Sequence, residues 1–152
     1  MKIIFIIFAT FFILFSYSTS PKCETVDLYR CGQSYGYEYF FGGLLTNGEP
    51  VDFDKGSING WISLSIDTET KEIDIAFKDA TKKEKSAKEL GASVALVDKD
   101  NNDLLVVIRW GKMALETFYF RTDGNGKKHV LYTLLRGGSL SPKGHIFKAE
   151  CN

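Results

Sequence analysis

Leu104-Leu105-Val106-Val107-Ile108-Arg109-Trp110 contains the longest apolar run outside the N-terminus. Val, Ile and Trp favour a pleated surface, and no Gly or Pro interrupts them, so the run reads as a β-strand. A continuous apolar run, unlike an alternating one, suits a strand covered on both faces at the centre of a sheet.

The flanking segments alternate. Trp61 to Ile66 places Ile62, Leu64 and Ile66 on one face and Trp61, Ser63 and Ser65 on the other. Glu72 to Lys78 does the same with Ile73, Ile75 and Phe77 against Asp74, Ala76 and Lys78. The polar turn between them makes the pair a hairpin with one dry and one wet face. Upstream, Val26 to Arg30 reads as a first short strand. Tyr35 to Leu45 reads as a second, with Tyr35, Tyr37, Tyr39 and Phe41 in one row, read first as core filling. Pro50 to Gly60 reads as a loop in which Val51 and Phe53 turn inward. Downstream, Ala92 to Val97, Ala114 to Arg121, Val130 to Arg136 and His145 to Cys151 complete the set. Asn47-Gly48 and Asp123-Gly124-Asn125-Gly126 are tight-turn signals. Thr81-x-x-Glu84 matches a helix capping box and Gly91 a helix stop, so Thr81 to Leu90 is expected as a polar surface helix. About eight or nine strands at this spacing suit a sandwich or a closed barrel, and the expectation is an all-β, two-sheet antiparallel sandwich with one short surface helix.

The first residues read differently. Lys2 precedes an apolar stretch, Ile3 to Phe15, and small residues around Ser18 and Ser20 follow. That pattern is a secretory signal peptide over 1–20, too short to span a bilayer, leaving one domain over 21–152. Nineteen basic side chains balance nineteen acidic ones in the whole chain. No basic field points to nucleic acid, and no other stretch could span a membrane. In an exported protein the three cysteines, Cys23, Cys31 and Cys151, are expected to be oxidised. Cys151 pairs with Cys23 if the Glu24–Arg30 strand lies beside the last strand. Cys31 is the alternative partner if the Tyr35–Phe41 strand does.

Chemical motifs are sparse. Asp98 to Asp103 starts like a calcium loop but lacks the Gly and the closing Glu. No nucleophile elbow, zinc spacing or phosphate loop occurs, and His129 and His145 read as ordinary, partly exposed histidines. No enzyme activity, cofactor or metal is expected. The informative surface is the wet face of the hairpin. Exposing a Trp forgoes up to about 2–3 kcal/mol of burial. With Ser63, Ser65, Asp74 and Lys78 beside it, Trp61 offers a stacking plane ringed by hydroxyl, carboxylate and ammonium groups, a set that suits a sugar.

Asp74-Ile75-Ala76 and Trp110-Gly111 resemble short motifs of the galectin family, whose sugar-binding strand reads DIAxHxNPR. Here the His, Asn and Arg positions hold Lys78, Ala80 and Lys82. The resemblance implies a jelly-roll sandwich, and it does not carry the galectin sugar-binding letters. The expected function is a secreted, extracellular, non-catalytic module that binds a glycan or a glycoprotein through Trp61, Ser63, Ser65, Asp74 and Lys78. Alternatives are a small lipid-binding β-barrel and a protein-interaction or inhibitor domain.

Overall fold

Alternation at period two, punctuated by Asx-Gly turns, leaves this chain antiparallel pairing as its way to bury apolar faces. The computed structural model describes residues 24–44, 47–78, 83–138 and 142–152, with the backbone alone at 51 and 52. The expected signal peptide, Cys23, and Thr81 and Lys82 at the start of the expected helix lie outside these residues. Eleven strands follow in order. They are β1 (Thr25–Cys31), β2 (Ser34–Phe40), β3 (Val51–Ile58), β4 (Trp61–Asp67), β5 (Ile73–Lys78) and β6 (Glu84–Ser86). After them come β7 (Ser93–Lys99), β8 (Asp103–Trp110), β9 (Ala114–Thr122), β10 (Lys128–Arg136) and β11 (Lys143–Cys151).

All eleven join one strongly curled antiparallel sheet, a half-barrel, in place of the expected two-sheet sandwich. Its main path runs β6-β5-β4-β1-β11-β10-β9-β8-β7. The sheet forks at β11. One edge of β11 pairs with β10 along its whole length. The other edge is shared: β2 takes Lys143 to Lys148, and β1 meets it at Cys151 alone. β2 carries β3 beyond it. The segment expected as a loop over 50–60 is thus mostly a strand, and Phe53 is exposed instead of turned inward.

The other branch, β1-β4-β5-β6, folds back over the body. Phe77 of β5 lies 6.0 Å from Phe118 of β9 and 6.4 Å from Trp110 of β8, ring to ring. The dry face of the β4–β5 hairpin forms as read, with Ile62 opposite Phe77, Leu64 opposite Ile75 and Ile66 opposite Ile73. Beneath it runs a ladder of rings. Phe118, Tyr132 and Phe147 sit side by side on β9, β10 and β11 at centroid spacings of 5.2 and 5.8 Å, and Tyr29 covers Phe120 at 5.0 Å. Phe118, Phe120, Phe147, Val106 and Ile108 are fully buried there.

Three expectations are corrected. The 104–110 run is not central, because only β7 lies beyond it. Its inner face, Val106 and Ile108, is buried, whereas Leu105 and Val107 are half-exposed and Arg109 is exposed. The helix over 81–90 is absent among the described residues. Glu84–Ser86 pairs with β5, and one tight turn follows. The capping box exists but is shifted. The Ser86 backbone N–H donates to the Glu89 carboxylate and the Glu89 N–H to the Ser86 hydroxyl, and Leu90 N–H closes the turn on Ser86 C=O. Lys88 pairs with Glu72 at 2.6 Å, not with Glu84. Third, the disulfide joins Cys31 to Cys151, the alternative partner, because β2 and not β1 runs along β11.

Gly36 marks the closest approach of backbones. It lies opposite Phe147 on β11 and Gly56 on β3. A β-carbon at Gly36 would overlap the Ile146 carbonyl oxygen and crowd the Phe147 backbone. That obstacle is main chain, which cannot swing aside as a side-chain tip can. Gly36→Ala is therefore expected to lower unfolding stability by about 2 kcal/mol, the range of overpacked cores. Urea denaturation measures it, and a change below a few tenths would show that β2 can shift freely.

Candidate functional site

The wet face of the hairpin is drier than its sequence suggests. Ser63 is 3% exposed, and its hydroxyl donates to Asp27 at 3.0 Å. Asp27 also pairs with Arg30 at 3.8 Å, and the Arg30 guanidinium lies 4.3 Å above the Trp61 ring. The plane expected to stack on a sugar thus already carries a cation on one face. Asp74 accepts from the Ile75 N–H at 2.8 Å and from the Ser86 hydroxyl. Ser65 is half-buried, its hydroxyl 3.5 Å from the Asp74 carbonyl.

The five residues divide between two hollows. Ser63, Ser65 and Asp74 line a shallow polar groove with Asp67, Glu72, Glu84 and Glu89. Trp61 and Lys78, directly opposite each other across the β4–β5 ladder, instead border a cleft of about 120 Å³ that leads into the half-barrel. Its walls are Ser34, Ile58, Ile62, Phe77, Glu116, Phe118, Tyr132 and His145.

Strand alternation delivers the polar groups to this cleft. On β11, His145 is in phase with the buried Phe147 and Ala149, and on β9, Glu116 is in phase with Phe118 and Phe120. His145 is 9% exposed, contrary to its reading as an ordinary surface histidine. Tyr132 and Phe147 box its ring edge-to-face at 5.6 and 4.7 Å. Neither ring nitrogen bonds any described residue, and nor does Oε2 of Glu116. The Tyr132 and Ser34 hydroxyls are 2.6 Å apart. Nearby, Lys143 pairs with Glu38 at 3.4 Å.

Burial sets the charge states. It lowers the His145 pKa to about 4, with the positive charges of Lys143 and Arg136 adding to the effect. It raises the Glu116 carboxyl, against a hydrogen bond from the Trp110 indole and the charge of Lys143. Tyr132 rises to about 12, chiefly by burial, with the Ser34 hydrogen bond opposing and the charges of Glu116 and Glu38 adding. At pH 7 His145 is therefore a neutral imidazole with one donor and one acceptor, and Tyr132 keeps its proton. Buried polar atoms without partners cost about 1–3 kcal/mol each, and such groups mark sites completed by water or ligand.

The carboxylates of the 98–103 turn are spread over local contacts. Asp98 and Asp100 accept from the next backbone N–H, and Asp103 accepts from the Tyr119 hydroxyl. Among the described residues no group of three His, Cys, Asp or Glu side chains is arranged to hold a metal ion. No helix among them is long and apolar enough to cross a membrane. No protein-family model, no curated protein and no solved structure matches this chain.

Proposed function

We propose that this chain is a secreted, non-catalytic binding module that takes a glycan, with one sugar ring entering the cleft between Trp61 and His145. The observation that carries the reading is the set of buried, unpartnered atoms in that cleft, His145 Nδ1 and Nε2 and Glu116 Oε2. Hydroxyl groups both donate and accept, so a polyol can satisfy all three at once. Phe77, Phe118 and Trp61 supply the apolar wall against which the carbon face of a sugar packs. Lys78 stands at the mouth. At about 120 Å³ the cleft is smaller than the roughly 300–1,000 Å³ of ordinary ligand pockets, so it takes part of one ring with the rest outside, and it weighs against an interior lipid store.

Among the described residues, neither His145 ring nitrogen bonds the Ser34 or Tyr132 hydroxyl. The Cys31–Cys151 bridge is compatible with secretion, since disulfides are commonest in oxidising compartments.

Titration of isotopically labelled protein with a panel of free hexoses and N-acetylhexosamines, followed by NMR, tests the site. The expected result is a saturable shift of the Trp61 indole and His145 ring signals, with affinity falling about tenfold or more in Glu116→Gln and His145→Phe. That loss corresponds to one or two hydrogen bonds to a charged or neutral partner. Silence at both rings across the panel, with a glycan array also blank, would defeat the proposal.

A further inference from the structure

The outer face of the sheet carries a second feature, separate from the cleft. At the end where the β8–β9 turn meets the β10–β11 loop, Leu135, Met113, Phe41 and Leu115 are 62, 58, 47 and 43% exposed. They line one depression of about 430 Å³. Leu115 and Leu135 are cross-strand partners, and Met113 sits at the hairpin tip, held by a bond from the Gly137 N–H to its carbonyl. The tyrosine row of β2 continues the same face, with Tyr35 and Tyr37 exposed where core filling was expected.

The charges around this depression have one sign. Arg109, Lys112 and Arg136 border it, and among the described residues no carboxylate does. Arg109 is steadied over the turn by a hydrogen bond from its Nε to the Gly111 carbonyl. Lys143, also at the rim, is paired with Glu38 on the inner side. The chain as a whole has no net charge, so this separation is local: the acidic groups Glu72, Glu84 and Glu89 gather in the groove on the β4–β5–β6 branch.

We propose that this end of the outer face docks on an anionic lipid bilayer. Met113, Leu135 and Phe41 enter the headgroup region while Arg109 and Lys112 meet the phosphates and carboxylates there. Apolar tips with flanking cations are the arrangement that binds an anionic interface without spanning it. A second copy packed face to face would set Arg109 and Lys112 against the same charges, with no carboxylate in the depression to offset them.

Vesicle co-sedimentation tests this with the purified full chain, using phosphatidylcholine vesicles with and without phosphatidylserine. Binding is expected to the serine-containing vesicles, to weaken with added salt, and to be slight on phosphatidylcholine alone. Met113→Ser with Leu135→Ser, and separately Arg109→Glu with Lys112→Glu, are each expected to weaken it roughly tenfold or more. These side chains are exposed, and an unchanged melting temperature shows that the variants fold. Binding that both double variants retain belongs to the apolar residues 3–15 and would overturn the proposal. So would a lipid-free dimer in light scattering that the same variants dissociate, or equal capture by a soluble acidic polypeptide.

Discussion

Replacing Cys31 and Cys151 together by Ala is expected to remove about 4–5 kcal/mol of stability. The bridge closes a loop with a sequence separation of 120, and the chain-entropy relation gives about 5 kcal/mol for a loop of that size. A domain of this length has about 5–15 kcal/mol in all, so the loss is between a third and nearly the whole of its stability. The location of the bridge adds to the effect. β1 meets β11 only at the Cys31–Cys151 pair, with the Gly32 N–H to Glu150 and Asn152 N–H to Arg30 bonds on either side. Beyond this short ladder, the branch β1-β4-β5-β6 is held to the body by ring packing and by two hydrogen bonds at β1, Tyr29 hydroxyl with Thr122 hydroxyl at 3.2 Å and Lys128 ammonium to the Leu28 carbonyl at 3.1 Å. Losing the bridge is therefore expected to loosen that branch first. Hydrogen exchange should rise over β4 and β5 before it rises over β9 and β10, and urea denaturation measures the total. Cys23→Ser is expected to leave stability unchanged. A loss below about 1 kcal/mol in the double variant, or an equal loss in Cys23→Ser, would contradict this account.

What could be read from the residues was the local pairing, and what could not was which face looks outward. The 62–66 and 73–77 alternation found the dry hairpin because its two faces differ sharply in polarity. The 104–110 run and the Tyr35–Phe41 row misled for one shared reason. The outer face of this sheet is itself rich in Leu, Tyr and Ile, such as Leu105, Tyr37 and Ile146, so apolar residues there do not mark burial. The fork at β11 was illegible locally, since β1 and β2 compete for one edge and only the whole sheet decides between them. That competition also decided the disulfide. Over the described part of the expected helix, Glu84–Ser86 pairs with β5 and Ser86 with Glu89 caps a single turn after it, so a polar segment with few apolar positions follows the sheet edge instead of winding as a helix. Of the hairpin's wet-face residues, Trp61, singled out by its oddness on a polar face, and Lys78 opposite it border the cleft, whereas Ser63 and Asp74 are bonded within the protein. His145 and Glu116 were passed over although each stands two residues before an inward Phe on its strand, the one signal that could have exposed them.

Acidification from pH 7 to pH 4 is expected to weaken the fold by up to about 3 kcal/mol, with His145 as the main cause. In the unfolded chain its imidazole takes a proton near pH 6.5, and in the folded protein only near pH 4. Between those values the unfolded state binds more protons, so stability is complete above pH 6.5 and falls as pH drops through the window. A shift of that size corresponds to about 3 kcal/mol at full extent. Glu116 acts in the opposite sense. Its pKa is raised in the fold, so its contribution grows on acidification below the raised value and offsets part of the loss. Glu116→Gln should therefore steepen the acid decline, and His145→Phe should flatten it. Phe preserves the edge-to-face fit against Tyr132 and Phe147 and removes both unpartnered nitrogens. Denaturation midpoints collected from pH 4 to pH 8 for the three proteins measure the slopes directly. Protonation in the folded state places a charge inside the cleft, so sugar binding should hold down to about pH 5 and decline only as pH falls through the folded value of about 4. If His145→Phe kept the slope of the unmodified protein, the acid sensitivity would lie elsewhere, and the cleft would lose its claim to a neutral imidazole poised for a ligand.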